Sequence, residues 1–184
     1  RLGFEATRAK TATDLTGATK IILPGVGAFD HAIELLNQSG MRPTLEALVV
    51  QDKVPVLGIC VGMQILASAS DEGHLPGLGW VPGKVYAFRA NEQSASLPLP
   101  HMGWNDVQPK PGSLLFAGLE SDARFYFLHS YYFECDEPSH VAAVAAYGFD
   151  FSCAVTAGNV YGVQFHPEKS HHFGTKLLKN FAEL

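Results

Sequence analysis

The hydrophobic positions of this chain come in short runs separated by glycine and proline, and their spacing changes midway. Residues 20–23, Lys-Ile-Ile-Leu, read as a buried strand that stops at Pro24-Gly25-Val26-Gly27. Residues 28–36 carry a helical repeat that closes near Ser39-Gly40, and 43–50 fit a second helix with proline at its start. The apolar run 54–60 predicts a parallel strand buried on both faces, and 63–67 the helix after it. A β-α-β-α order of this kind predicts an α/β protein with a parallel, doubly wound sheet flanked by helices.

After Gly73 the texture becomes strand-rich. Residues 79–88 hold a Pro-Gly turn between apolar runs, and 125–133 are aromatic and strand-like throughout. Residues 152–155 and 159–165 flank Ala157-Gly158, a hairpin signal that makes the sheet mixed. The chain ends in a helix from Ser170 to Leu184, with Ser170 as its cap and Phe173, Leu177, Leu178 and Phe181 on one face. Residues 89–96 read as an exposed polar loop. Residues 1–16 look like the end of a helix and a short strand already in progress. The expectation is one domain over 1–184 whose preceding strand and helix are missing.

Bulk properties narrow the function classes. At 184 residues and 47% hydrophobic content the chain builds one sizeable core. The net charge of −5, without a basic run, disfavours nucleic acid. No apolar stretch reaches the length of a membrane span, and no signal peptide opens the chain. Three widely spaced cysteines make an unlikely disulfide framework and point to the reducing cytoplasm. Charged residues make up only 17%, consistent with surface covered by a partner.

Chemistry concentrates in two places. Gly58-Ile59-Cys60-Val61-Gly62 puts a cysteine in a tight strand-to-helix turn, the thiol counterpart of a nucleophile elbow. The helix N-terminus beyond it should favour a thiolate. His166-Pro167-Glu168 follows far downstream. On a strand, positions i and i+2 share a face, so Glu168 can orient His166 toward a thiol. Taken alone, Cys60 is a buried strand-end cysteine and His166 a structural histidine; together with Glu168 they read as nucleophile, base and orienting acid. His166, Glu168, His171 and His172 could be imagined as a metal cluster, but the zinc-deaminase and His-Glu-x-x-His signatures are absent, so no metal or cofactor is expected.

Gly58-Ile-Cys-Val-Gly-Met-Gln64, His166-Pro-Glu168 and Pro24-Gly-Val-Gly27 together resemble the class I, triad-type glutamine amidotransferases. Pro100-His-Met-Gly-Trp-Asn105 and Leu128-His-Ser-Tyr-Tyr132 bring the resemblance closest to the glutaminase subunits of imidazole glycerol phosphate synthase. Gly77-Leu-Gly-Trp80 and Leu97-Pro-Leu-Pro100 look more like a paralogous branch that serves nucleotide-sugar amidation in surface polysaccharide synthesis. The resemblance implies a flavodoxin-like fold and hydrolysis of glutamine to glutamate and ammonia through a thioester on Cys60. It implies a heterodimer in which ammonia passes to a (β/α)8 cyclase. Gly25, Val26, Gly27 and Val61 are implied around the oxyanion, and Gln64, Glu72, Ser130 and Tyr131 around the substrate. Pro100, Met102, Trp104 and Lys169 are implied at the partner interface. Without the resemblance, Glu72 would be a solvated loop acid, Ser130 a plain strand residue and Lys169 an exposed lysine, while Trp104 divides evenly between core and interface. Two rivals stand beside this reading. A cysteine peptidase would not explain His-Pro-Glu together with Pro-Gly-Val-Gly. A non-catalytic regulatory subunit would usually have lost a triad member.

Overall fold

A computed structural model describes residues 2–184; Arg1, inside the expected 1–184 domain, lies outside the described residues. The strands are β1 (Ile21–Gly25), β2 (Val56–Cys60), β3 (Ala69–Ser70), β4 (Gly83–Ala87), β5 (His101–Asp106), β6 (Gln108–Pro109), β7 (Arg124–His129), β8 (Tyr131–Cys135), β9 (Val141–Tyr147), β10 (Phe149–Ala157) and β11 (Val160–Val163). The helices are α1 (Phe29–Gln38), α2 (Arg42–Glu46), α3 (Val61–Gln64) and α4 (His171–Ala182). The main sheet runs β1-β2-β11-β10-β8-β4-β3, with β9 beside β10 and β6 beside β9, while β5 and β7 form a separate antiparallel ribbon. β2 lies between β1 and β11, parallel to both, and the β10–β11 hairpin turns where Ala157-Gly158 foretold.

The parallel strands are apolar because the sheet is covered on both sides. Along β2, Val56 packs into a cluster with Phe29, Ile33, Val49 and Met63, and Leu57 into the opposite one with Phe125, Phe165, Leu177 and Phe181. Helix α1 buries Phe29, Ile33 and Leu36, spaced as one helical face requires. It stops where Ser39 Oγ donates to the Leu36 carbonyl at 2.7 Å and Gly40 takes φ +68°. In α4, Leu177 and Phe181 are buried and Phe173 and Leu178 pack beside them, as the periodicity predicts.

Five expectations change. The segment before residue 12 forms neither helix nor strand, since it pairs with no described strand; only a 3₁₀ turn follows at Ala12–Leu15. The helix expected over 63–67 is a single turn, α3, because the chain must fold back at once to reach β3. The Pro82-Gly83 pair leads into β4 instead of turning between two strands. Within the expected loop 89–96, Ser94 is fully buried and its hydroxyl donates to the Phe88 carbonyl at 2.7 Å. The aromatic run 125–133 breaks at Ser130 into β7 and β8, which belong to different sheets.

Candidate active site

The site lies at the carboxyl end of β2, where open α/β sheets form their clefts. Cys60 takes φ 56° and ψ −116°, a conformation that holds the side chain out of the strand-to-helix turn. Glycine is required around it by close approach. A Cβ on Gly62 would sit 1.8 Å from the Leu23 carbonyl oxygen, and one on Gly58 would sit 2.5 Å from the Gly62 oxygen. Gly25 pairs with Cys60 across the β1–β2 ladder, and its Cβ would meet the Gly62 nitrogen at 2.5 Å.

The sulfur's electrostatics differ from expectation. Burial pushes the Cys60 thiol up to about 11, opposed by the Val61 N–H, which points at the sulfur; the Glu168 and Glu72 carboxylates push it further up and Lys169 pulls it down. A one-turn helix offers too little dipole to reverse this. The Cys60 sulfur therefore rests as a neutral thiol, and acting as a nucleophile would need a base.

The expected base, His166, lines the same cleft, though it is oriented by another route than strand spacing. β11 ends at Val163, and the chain runs on through Gln164 and Phe165 to His166, which precedes a 3₁₀ turn over Pro167–Lys169. Proline, with φ fixed and no N–H to give, starts the turn. The turn swings Glu168 back so that its Oε1 accepts from His166 Nδ1 at 2.8 Å. With Nδ1 donating to a carboxylate, Nε2 is left as an acceptor, and it is buried with no partner. Ser170 sits at the cap position of α4 but does not cap it. Its hydroxyl donates to the His166 carbonyl at 2.6 Å and accepts from the Tyr126 N–H at 3.0 Å, tying the turn to β7.

A cleft of about 370 Å³ opens over these groups, lined by Val26, Gly27, Cys60, Val61, Gln64, Glu72, Pro100, Ser130, Tyr131, His166 and Lys169, with Leu128 and His129. Of the expected oxyanion residues, Gly25 stands behind the lining, packed on the elbow. Glu72 is no free loop acid: its Oε2 accepts from the Phe29 N–H at 2.9 Å, at the start of α1. Asp30 holds the same loop through the His74 and Leu75 N–H groups. Ser130 sits at the break between β7 and β8. Its carbonyl accepts from the Phe88 N–H at 3.1 Å. Pro100 and Lys169, expected at the interface, also line the cleft. Met102 and Trp104 do not; they face outward from β5, 64% and 43% exposed. Trp104 leans on Tyr126 and His171, and Lys169 lies over the Tyr126 ring.

Two features escaped the sequence. Gln164 is fully buried and bridges Gln64 and Cys60; a lone polar residue inside an apolar strand run was the available signal. His129, on the cleft wall, pairs with His101, 28 positions away: His129 Nδ1 donates to the Tyr131 carbonyl at 2.7 Å, and its Nε2 accepts from His101 Nδ1 at 2.9 Å. His101 Nε2 in turn accepts from Asn105 Nδ2 at 3.2 Å. Among the described residues, no group of three or more His, Cys, Asp or Glu side chains is placed to hold a metal, and no helix is long and apolar enough to cross a membrane.

Residues 4–184 match the family model described as Glutamine amidotransferase class-I. A protein of Bdellovibrio bacteriovorus named imidazole glycerol phosphate synthase subunit HisH is 66% identical over 184 residues, covering 100% of this chain and 90% of that protein. A protein of the same name from Leptospira interrogans is 52% identical over 183 residues, with the same coverage. Among solved structures, one described as a glutamine amidotransferase superposes with a TM-score of 0.76 at 22% identity, over 99% of this chain and 87% of that one, which supports the fold.

Proposed function

The chain belongs to the class-I glutamine amidotransferases, and from that premise we propose that it is the glutaminase subunit of an imidazole glycerol phosphate synthase, acting in histidine biosynthesis in the cytoplasm. One observation carries the chemistry: a buried thiol and an imidazole whose Nε2 is unpartnered line one cleft, with a carboxylate on the other ring nitrogen. The pathway rests on relatives as similar as 66% that bear that name.

The steps follow from the geometry. Glutamine enters with its α-ammonium toward Glu72, whose position is fixed by the Phe29 N–H. His166 Nε2 takes the Cys60 proton, and the thiolate attacks the side-chain amide carbon. The C–S bond forms as the carbonyl electrons move to oxygen. The Val61 N–H and a peptide N–H of the Pro24–Gly27 turn receive that oxyanion. Collapse expels ammonia, protonated by His166, and leaves a thioester. His166 then draws a proton from water, which attacks the thioester carbon and releases glutamate and the thiol. Glu168 holds the imidazole and stabilises its cation throughout.

Ammonia made in this cleft has a destination. Val26 at the cleft and Met102 and Trp104 on β5 are exposed large apolar side chains, of the kind that a protein interface covers. We assign that interface to a (β/α)8 cyclase partner that receives the ammonia. The turn Pro24-Gly25-Val26-Gly27 carries Val26 and adjoins Cys60, so docking can set the oxyanion N–H. Glutaminase activity should therefore be low for the subunit alone, higher with the cyclase, and highest with the cyclase and its ligand. Equal rates in all three would overturn the coupling; no glutamate release in any would overturn the reaction itself.

A further inference from the structure

The geometry points to Gln164 as a residue that stabilises the Cys60 thiolate when it forms, which adds a member to the catalytic set proposed above and rests on that reading. Gln164 Nε2 lies 3.8 Å from Cys60 Sγ. Its Oε1 accepts from Gln64 Nε2 at 3.0 Å, which fixes which end of the amide faces the sulfur. Its main chain is pinned as well, since its N–H donates to the Cys153 carbonyl at 2.9 Å. The side chain is completely buried. A primary amide in that setting is costly unless its groups are engaged, and the two partners it has are the nucleophile and a residue on the cleft wall.

The arrangement works differentially. A thiol is a weak acceptor, so the contact is long and weak at rest. When the proton moves to His166, the sulfur becomes a strong acceptor and the same N–H, already aimed, tightens onto it. An interaction that strengthens with the charge lowers the barrier instead of merely binding the ground state. It also answers a need visible in the site: burial and two nearby carboxylates all disfavour the thiolate, and within the site the Val61 N–H, Lys169 and Gln164 oppose them. The bond to Gln64 adds a second consequence. Cys60, α3, Gln64 and Gln164 form a closed ring, so the wall residue that faces the substrate and the sulfur that attacks it share one amide.

Thiolate character can be read without turnover, by following iodoacetamide alkylation of the Cys60 peptide by mass spectrometry. The variants are Gln164→Met, close in size but without the amide, and Gln164→Glu, which keeps the acceptor toward Gln64 and puts a carboxyl beside the sulfur. A hydrogen bond to a charged group is worth about ten- to a hundredfold in equilibrium. A more basic thiolate regains roughly half of that on a logarithmic scale through greater nucleophilicity. Alkylation of Cys60 at pH 8 should thus slow about three- to tenfold in Gln164→Met and further in Gln164→Glu, with kcat for glutamine falling more than KM rises. Unchanged or faster alkylation in folded variants overturns the proposal, because an amide oxygen facing an S–H, or a purely structural role, predicts that result. Wild-type protein supplies an independent check that no misfolded variant can spoil. The Gln164 side-chain amide protons, resolved by NMR, should move on alkylation of Cys60 in the wild type; no movement also overturns it. Because alkylation needs no glutamine, these outcomes are separate from failure of the glutaminase reading, which would show as absence of turnover in the wild type.

Discussion

Two buried histidine systems reach the same cleft, through His166 and through His129, and are built on opposite plans. On one side stands His166, with Nδ1 bonded to Glu168 and Nε2 bonded to nothing. On the other, His101 and His129 have all four ring nitrogens engaged, in a chain from Asn105 to the Tyr131 carbonyl. His101 is also stacked between Tyr147 and Phe127, at 4.2 and 4.8 Å between ring centres. Burial pushes His101 down to about 4 and His129 down to about 3, so the pair stays neutral. The difference teaches what to look for in a buried imidazole. One with every nitrogen satisfied is structural; one with a bare nitrogen in the same cleft as a thiol is equipped for proton transfer.

The comparison can be broken most decisively at the sulfur. Cys60→Ala and His166→Ala should each cost glutamine-dependent turnover about 10⁴–10⁶-fold while thermal stability and ammonia-dependent synthesis by the partner persist. Near wild-type glutamate release from either variant would dissolve the assignment. Glu168→Gln should do less damage, by roughly one to two orders of magnitude, since the amide can still accept from Nδ1 but lacks the charge that steadies imidazolium. Steady-state kinetics of His166→Ala and Glu168→Gln side by side measure that gap.

The wall histidines should invert the pattern. His129→Leu strands the His101 Nδ1–H and the Tyr131 carbonyl, at about 1–3 kcal/mol for each buried group. Urea unfolding should show a lower midpoint at unchanged slope. If the variant folds yet loses as much turnover as His166→Ala, the two systems are not distinct. The smallest effect is a pH dependence. An unfolded histidine titrates near 6.5, whereas the folded pair resists protonation down to about 4 and about 3. Below about pH 6.5 the unfolded chain binds protons that the folded one refuses. The stability is therefore fully present above that pH and is lost as pH falls toward 4, by up to about 1.4 kcal/mol per pH unit for each histidine. Stability measured between pH 7 and 5 should fall in the wild type and fall less in the double variant His101→Leu, His129→Leu.

These two systems were unequally legible in the sequence. The elbow could be read because close packing demands glycine at fixed spacing around Cys60, and local sterics leave a local trace. Helix α1 could be read because one face is buried. The contact between His166 and Glu168 was foreseen through strand geometry but is made by a proline-started turn. The break at Ser130 was hidden, since β7 and β8 are both aromatic and both buried, in different sheets. His101 and His129 carry no local signal: their pairing is set by the β5–β7 register, which places them opposite one another. The position of Ser170 predicts a helix cap, and only the fold shows its hydroxyl engaged with the His166 turn.

The neutral state of Cys60 reaches beyond turnover. Peroxide attacks thiolates, and a sulfur held protonated in a buried site is a poor target for conversion to sulfenic acid. On the proposed mechanism, the burial that makes Cys60 depend on a base therefore also shields its sulfur from oxidative damage while no glutamine is bound.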